Sequence, residues 1–411
     1  MDILLINHYA GSPRHGMEYR PYYLAREWVR AGHRVRIMAS DNSHIRTHQP
    51  DLAGAPRLDE TIDGIEYSWL STPAYRGNGI GRVRNMASFV MNLYQDASRL
   101  ARDFRPDVVI ASSTYPMDIW PAHRIARLAG AKLLFEVHDL WPLSPMELGG
   151  MSKWHPFIML VQKAEDFAYR NADSVVSILP KVREYMESRG LAPDKLYLVT
   201  NGIDPAEWQD DACELPAEAS SLLAGLRAQG KTVVGYAGNH GVSNALDNLL
   251  SAARLVQGEP IAFVLVGSGP EKARLQQRAA RENLSNIWFL EPVPKRGIPS
   301  LLRAFDIAYI GWLRQPLYRF GIAPNKLMDY MMAARPVLHA VAAGNDPVSE
   351  AGCGLTVEPE SPQAVVEGIG RLLALDADER RAMGQRGKAF VLENLTYPVL
   401  GKRFLAACGV S

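Results

Sequence analysis

The sequence predicts an α/β protein made of two doubly wound, Rossmann-like domains, and three observations carry that expectation. The chain has 411 residues, enough for two or three domains at about 150 residues each. Short apolar runs rich in Val, Ile and Leu alternate with amphipathic helical patterns along most of its length. That alternation occurs twice, interrupted once by a stretch with no strand pattern.

The first alternation opens with a strand at Ile3–Asn7, a loop at 8–17 and an amphipathic helix at Tyr22–Ala31 ended by Gly32. A strand at Val35–Ala39 completes a βαβ unit, whose right-handed crossover makes the sheet parallel. Strands follow at Asp107–Ala111, Lys132–His138, Ser174–Ile178 and Leu196–Val199, with helices between them. The domain is expected at 1–204, with a linker at 205–229 that is rich in Pro, acid and Ala.

The second alternation places strands at Val233–Tyr236, Ile261–Val266, Ile287–Phe289, Ile307–Ile310 and Val337–Ala340. Helices are expected at 244–256, 270–281, 298–304, 325–334, 362–374 and 378–393, giving a second domain at 230–395. A last helix near 396–411 is expected to pack back on the first domain. Open α/β sheets bind ligands beyond the carboxyl ends of their strands, so the expected site is an interdomain cleft.

Composition narrows the function classes. Hydrophobic residues at 47% and charged residues at 22% are those of an ordinary globular chain, and the net charge of +1 supplies no basic field for nucleic acid. Cys213, Cys353 and Cys408 are far apart and lack metal-ligand spacing, which points to a reducing, cytoplasmic setting without a zinc site. The apolar run at the N-terminus is too short for a signal peptide, and no run of about 18 apolar residues appears.

The most informative stretch is Arg319-Phe-Gly-Ile-Ala-Pro-Asn-Lys-Leu-Met-Asp-Tyr330. Pro324 suits a helix start, where free N–H groups favour an anion. Lys326 and Asp329 share a helical face, backed by Leu327, Tyr330, Met331 and Ala334. Two readings are open: a solvated surface pair, or a clamp on a ligand carrying both phosphates and sugar hydroxyls.

Other segments bear on the choice. His138 ends an apolar strand and enters the turn Asp139-Leu-Trp-Pro142, either as a structural histidine or as a group at the site. Gly238-Asn239-His240-Gly241 follows a strand and precedes a helix that Ser243 could cap, a plausible diphosphate cradle. Val266-Gly267-Ser268-Gly269-Pro270 is either a tight turn or a place where a ligand meets the backbone. Residues 76–105 interleave Arg76, Arg82, Arg84, Arg99, Arg102 and Arg105 with Ile80, Val83, Met86, Phe89, Val90, Leu93 and Leu100. This helix either packs with a solvated basic side or docks on an anionic membrane face.

Six segments in order resemble family 4 glycosyltransferases of the GT-B fold: Gly16-Met-Glu-Tyr-Arg20, Val137-His-Asp-Leu-Trp-Pro142, Asn201-Gly-Ile-Asp204, Tyr236-Ala-Gly-Asn239, Val266-Gly-Ser-Gly-Pro-Glu271 and Ala323-Pro-Asn-Lys-Leu-Met-Asp-Tyr330. The pattern looks most like the WbuB type, which adds amino sugars in bacterial O-antigen and capsule assembly. The resemblance implies a retaining, metal-independent transferase that moves an N-acetylated amino or deoxyamino sugar from a UDP-sugar to a polyprenyl-diphosphate-linked acceptor. It implies no cofactor, and contact with the cytoplasmic membrane face through the acceptor.

By the same resemblance His138 and Lys326 are the catalytic candidates. Gly238, Asn239, His240, Gly267, Ser268, Gly269, Val293, Pro294, Gly321, Ile322, Asn325 and Asp329 would bind the donor, with Gly16, Arg20 and Asp139 on the acceptor side. Asp139 is equally well read as a cap of its turn. The chain departs from the family twice: Asn239 and Asn244 stand where relatives carry two cations, and Gly321 stands for the first acid of a Glu-x7-Glu pair whose second is Asp329. Lys326 and Arg20 would then carry more of the diphosphate charge, and backbone N–H groups at 321–323 would meet the sugar. The competing readings are a UDP-sugar 2-epimerase or hydrolase, for which Glu136, Asp139 and Glu147 are the available carboxylates, and a noncatalytic sugar-nucleotide-binding module.

Overall fold

The computed structural model describes residues 1–77, 79–209 and 214–409; Cys213 and part of the expected linker lie outside them. The chain forms two units, Met1–Asn201 joined by the segment from Tyr397 onward, and Gly202–Thr396.

The first unit is an eight-stranded sheet with β1 (Asp2–Ile6), β2 (Arg34–Ser40), β3 (Arg57–Ile62), β4 (Ile65–Leu70), β5 (Val108–Ala111), β6 (Lys132–Val137), β7 (Ser174–Ser177) and β8 (Leu196–Leu198). Their order is β3-β4-β2-β1-β5-β6-β7-β8. All neighbours are parallel except β3 and β4, a hairpin turned at Asp63-Gly64, both with positive φ. That hairpin escapes the sequence reading, although Asp-Gly between alternating residues is its usual signal. Ile65, Tyr67 and Trp69 fill the core while Arg57 and Asp59 pair on the other face.

Flanking helices close this core. In the helix Ile80–Asp103, Met86, Phe89, Leu93 and Leu100 are buried, so these residues of the expected docking stripe belong to the interior. The exposed large apolar residues on that helix are Ile80, Val83, Met91 and Tyr94. The helix Tyr397–Ala407 packs on the helix Arg20–Arg30, with Trp28 against Phe404 and Tyr23 stacked on Tyr397. Gly401 permits the approach, since a Cβ there would meet the Glu27 Cβ at 2.9 Å.

The second unit is a six-stranded parallel sheet with β9 (Thr232–Ala237), β10 (Ile261–Val266), β11 (Ile287–Leu290), β12 (Ile307–Gly311), β13 (Val337–Ala340) and β14 (Gly354–Thr356). Their order is β11-β10-β9-β12-β13-β14. β9, β10 and β12 are nearly all buried apolar residues, as a parallel sheet covered on both faces requires.

Two expectations are corrected in this unit. The stretch 205–229 is not a bare linker: Ala217–Ala228 is a helix that buries Ala219, Leu223 and Leu226 in the second core. Their spacing of four and three is the helical signal that the Ala and acid content obscured. The helix expected at 325–334 spans Asn325–Met332, with Pro324 at its N-cap rather than inside it. Ala334 lies beyond its end at φ 54°, turned against Gly384, whose Cβ would lie 2.0 Å from the Ala334 carbonyl oxygen.

Candidate functional site

The site motifs of the second unit converge on the loops that follow the strands. After β9 the chain turns through Gly238-Asn-His-Gly241, and after β10 through Gly267-Ser-Gly269. Main-chain bonds join the two loops: Gly238 N–H donates to Val266 O, His240 N–H to Ser268 O, and Glu271 N–H to His240 O. The approach is possible only without side chains. A Cβ on Gly267 would lie 2.0 Å from Gly238 O, and one on Gly269 2.3 Å from Asn239 Oδ1 and 2.5 Å from His240 O, with both glycines at positive φ.

His240 is enclosed where the loops meet, beside Tyr236 and Phe289, with neither ring nitrogen hydrogen-bonded among the described residues. Burial, with Lys272 and Lys326 nearby, pulls its pKa down to about 4, which favours the neutral ring. Lys272 pins the same region: its Nζ donates to Gly267 O, Leu290 O and Glu291 Oε1. Nothing in the local sequence signals that role.

Lys326 reaches this junction from the start of the helix Asn325–Met332. Its Nζ donates to Tyr236 Oη at 2.9 Å and to Asn244 Oδ1 at 2.6 Å, and it lies over the Tyr236 ring. Gly238 leaves room for it, since a Cβ there would meet Nζ at 3.3 Å. Tyr236 Oη in turn donates to Asn239 O, and Asn244 Nδ2 to the same carbonyl. Burial lowers the Lys326 pKa to about 8. Asn244 thus orients the remaining lysine instead of adding a second cation. Ser243 does not cap the following helix, whose N-cap residue is Ala245 at φ 48°.

Within the β9 loop the N–H groups of Asn239 and Gly241 have no acceptor among the described residues, whereas those of Gly238 and His240 are engaged. Half of the expected cradle therefore remains available to an anion, beside Lys326 and the first turn of its helix.

The loop 321–323 differs from the expectation. Gly321 N–H donates to Tyr318 O, and Ile322 N–H to Asn345 Oδ1 at 2.7 Å, while Asn345 Nδ2 returns a bond to Ile322 O. These two N–H groups are not available to a sugar. Asn345, which the sequence reading missed, holds the loop instead. Asn325 is exposed at the helix start.

Asp329, one turn after Lys326, faces a different neighbourhood. It lies beside Trp208, Glu207 and Lys295; burial chiefly, opposed by Lys295 and reinforced by Glu207, lifts its carboxyl pKa to about 7. Lys295 Nζ pairs with Glu207 at 2.6 Å. Val293 and Pro294 lie in the loop after β11 that carries Lys295, with Pro294 O accepting from Gly297 N–H. Lys326 and Asp329 are therefore neither a surface ion pair nor partners of each other.

In the first unit, His138 follows β6 with its side chain 13% exposed, Nε2 at 3.0 Å from Ser112 Oγ and 3.4 Å from Glu136 Oε2. Arg20, expected on the acceptor side, is buried and engaged within the first unit. Its buried guanidinium pairs with Glu136 at 2.8 Å and donates to Val199 O and Thr200 O. Burial opposes ionisation of Glu136, but Arg20, His138 and Ser112 outweigh it and hold its pKa near 2. Asp139 Oδ1 accepts from Leu140 N–H and Ser144 Oγ, so it caps its own turn. Gly16 turns at φ 73° against Thr47, whose Oγ1 would lie 2.7 Å from a Cβ. Of the three carboxylates considered for epimerisation, Glu136 and Asp139 are engaged within the first unit.

Among the described residues no cluster of three or more His, Cys, Asp or Glu is placed to hold a metal ion, and no helix is long and apolar enough to cross a membrane.

Two doubly wound parallel-sheet units with glycine-rich turns and a helix-start lysine beyond the strand ends define the GT-B class of sugar-transferring enzymes. The chain is a glycosyltransferase: residues 15–202 match the glycosyl transferase 4-like domain and residues 231–375 the glycosyl transferases group 1 domain. It is similar to the putative colanic acid biosynthesis glycosyl transferase WcaI of Escherichia coli K12, with 25% identity over 85% of this chain and 86% of that protein. Sucrose-phosphate synthase from Thermosynechococcus elongatus shares the fold, with TM-score 0.71 and 16% identity over 99% of this chain and 98% of that one. So does HepE from Anabaena, solved with UDP and glucose, with TM-score 0.67 and 16% identity over the whole of both chains.

Proposed function

We propose that this glycosyltransferase is retaining and metal-independent, and that it moves an N-acetylated amino or deoxyamino sugar from a UDP-sugar to a polyprenyl-diphosphate-linked acceptor in surface polysaccharide assembly, a WbuB-like role. The observation that carries the reading is the setting of Lys326: a half-buried ammonium at a helix start, oriented by Tyr236 and Asn244 beside the Asn239 and Gly241 N–H groups. A diphosphate suits that combination of one cation and several backbone donors. The UDP bound by HepE and the colanic acid role in the WcaI name support the donor and the pathway class.

In this reading the bond from the sugar's anomeric carbon to the β-phosphate oxygen breaks, and Lys326 stabilises the charge that develops on that oxygen. The acceptor hydroxyl bonds to the anomeric carbon on the same face, and its proton passes to the departing phosphate. Asp329 would accept the ribose hydroxyls, and His138 would position the reacting sugar.

Incubating a panel of UDP-sugars with a polyprenyl-diphosphate-sugar acceptor tests the reading. One donor should turn over, and Lys326→Ala should lower kcat by at least about 100-fold, the usual cost of removing a group that meets transition-state charge. UDP bound but no donor transferred would overturn it.

A further inference from the structure

The buried groups under His138 bear on which of its ring nitrogens carries the proton when the ring is neutral. Glu136 receives Arg20 on Oε1 and the Ser112 hydroxyl on Oε2, the latter at 2.6 Å. The Ser112 proton is therefore committed to Glu136, and Asn7 Nδ2 donates to the same hydroxyl oxygen at 3.1 Å. What Ser112 Oγ offers His138 Nε2 at 3.0 Å is a lone pair. The second neighbour of Nε2, the Glu136 carboxylate at 3.4 Å, also only accepts. Nε2 faces two acceptors and must be the donor. The other ring nitrogen, Nδ1, has no hydrogen-bond partner among the described residues, so in the neutral ring it holds the lone pair.

We infer that Ser112 and Glu136 are positioning residues that fix His138 as the Nε2–H tautomer, presenting Nδ1 as an acceptor to an O–H or N–H group of the reacting sugar. Arg20 completes the device by holding the Glu136 carboxylate in place from the far side. The inference rests on the reading that His138 meets substrate, and it adds what that substrate must bring: a hydrogen-bond donor. A hydroxyl or the N–H of an acetamido group satisfies it; an ether or carbonyl oxygen does not.

Nitrogen-15 NMR of the full chain, labelled at histidine and assigned with His138→Ala, reads the tautomer directly. The neutral His138 ring should be Nε2–H. Ser112→Ala leaves the Arg20–Glu136 pair intact but removes the nearer of the two acceptors, so it should raise the Nδ1–H share, with the Glu136 carboxylate at 3.4 Å still favouring Nε2–H. It should also lower kcat on the order of 10- to 100-fold, the usual cost of losing a group that orients a working residue, with little change in donor KM, while the lost buried bond to the carboxylate lowers the melting temperature. Ser112→Thr, which keeps the hydroxyl, should restore both tautomer and rate. Glu136→Gln, which brings an amide donor beneath the ring, should shift the ring further toward Nδ1–H if the chain folds. A wild-type ring found as Nδ1–H, or a Ser112→Ala protein with unchanged tautomer and kcat, would overturn the inference. Transfer that survives His138→Ala, when the wild-type ring is Nε2–H, would instead remove the catalytic reading of His138 and leave the tautomer assignment standing.

Discussion

Gly269 leaves no room for a side chain, and the reason is a loop that the local sequence cannot reveal. The Gly-x-Gly pattern is legible as a turn, but what excludes a Cβ is His240 O and Asn239 Oδ1 from the loop after another strand. Gly269→Ala should cost the second unit about 1–3 kcal/mol through backbone strain at φ 155°, on top of a parted loop pair. Urea unfolding and UDP titration measure the two effects, and an alanine protein with unchanged stability and affinity would show that the loops are not mutually packed. Lys326 illustrates the same limit from the other side. Its type and helix-start position were readable, whereas Asn244 and Tyr236 as its holders were not, because they come from a different strand and turn. Arg20 reads as a ligand cation in sequence and proves to be the buried partner of Glu136.

At the scale of elements, periodicity identified most strands and long helices, and it failed where tertiary contacts supply the missing signal. The helix Ala217–Ala228 has weak amphipathicity of its own and is held by burying Leu223 and Leu226. The helix Pro156–Asn171 carries a buried carboxyl, Glu165, that accepts from Gln162, Tyr169 and Tyr185. Burial lifts its pKa from 4.5 to about 7 despite those three donors. The folded state therefore binds this proton more tightly than the unfolded chain. The carboxyl's contribution to stability grows as pH falls from above 7 toward 4.5, and is lost as pH rises through 7. Comparing thermal midpoints of the wild type and Glu165→Gln between pH 8 and pH 5.5 should show the wild type gaining on the variant as the solution is acidified. A constant difference across that range would contradict the raised pKa.

Over the whole molecule, the chain crosses back to complete its first unit. Phe404 is fully buried against Trp28, and the helix that carries it lies nearly 200 residues beyond the rest of that unit. Phe404→Ala should destabilise the first unit by about 3–5 kcal/mol, as loss of a buried aromatic generally does. Chemical unfolding followed by tryptophan fluorescence should show the first unit's transition shifted to lower denaturant and the second unit's unchanged; a shift confined to the second would refute the assignment of this helix. The sequence by itself determined the two α/β units and the strand-end loops that hold the glycines, Lys326 and His138, because strand and helix periodicity and turn chemistry are local properties. The tertiary structure alone decided which charges and N–H groups remain for a ligand. Arg20 is engaged by Glu136, Ile322 N–H by Asn345, and Lys326 is aimed by Asn244, because a polar group's availability depends on partners brought together from distant parts of the chain.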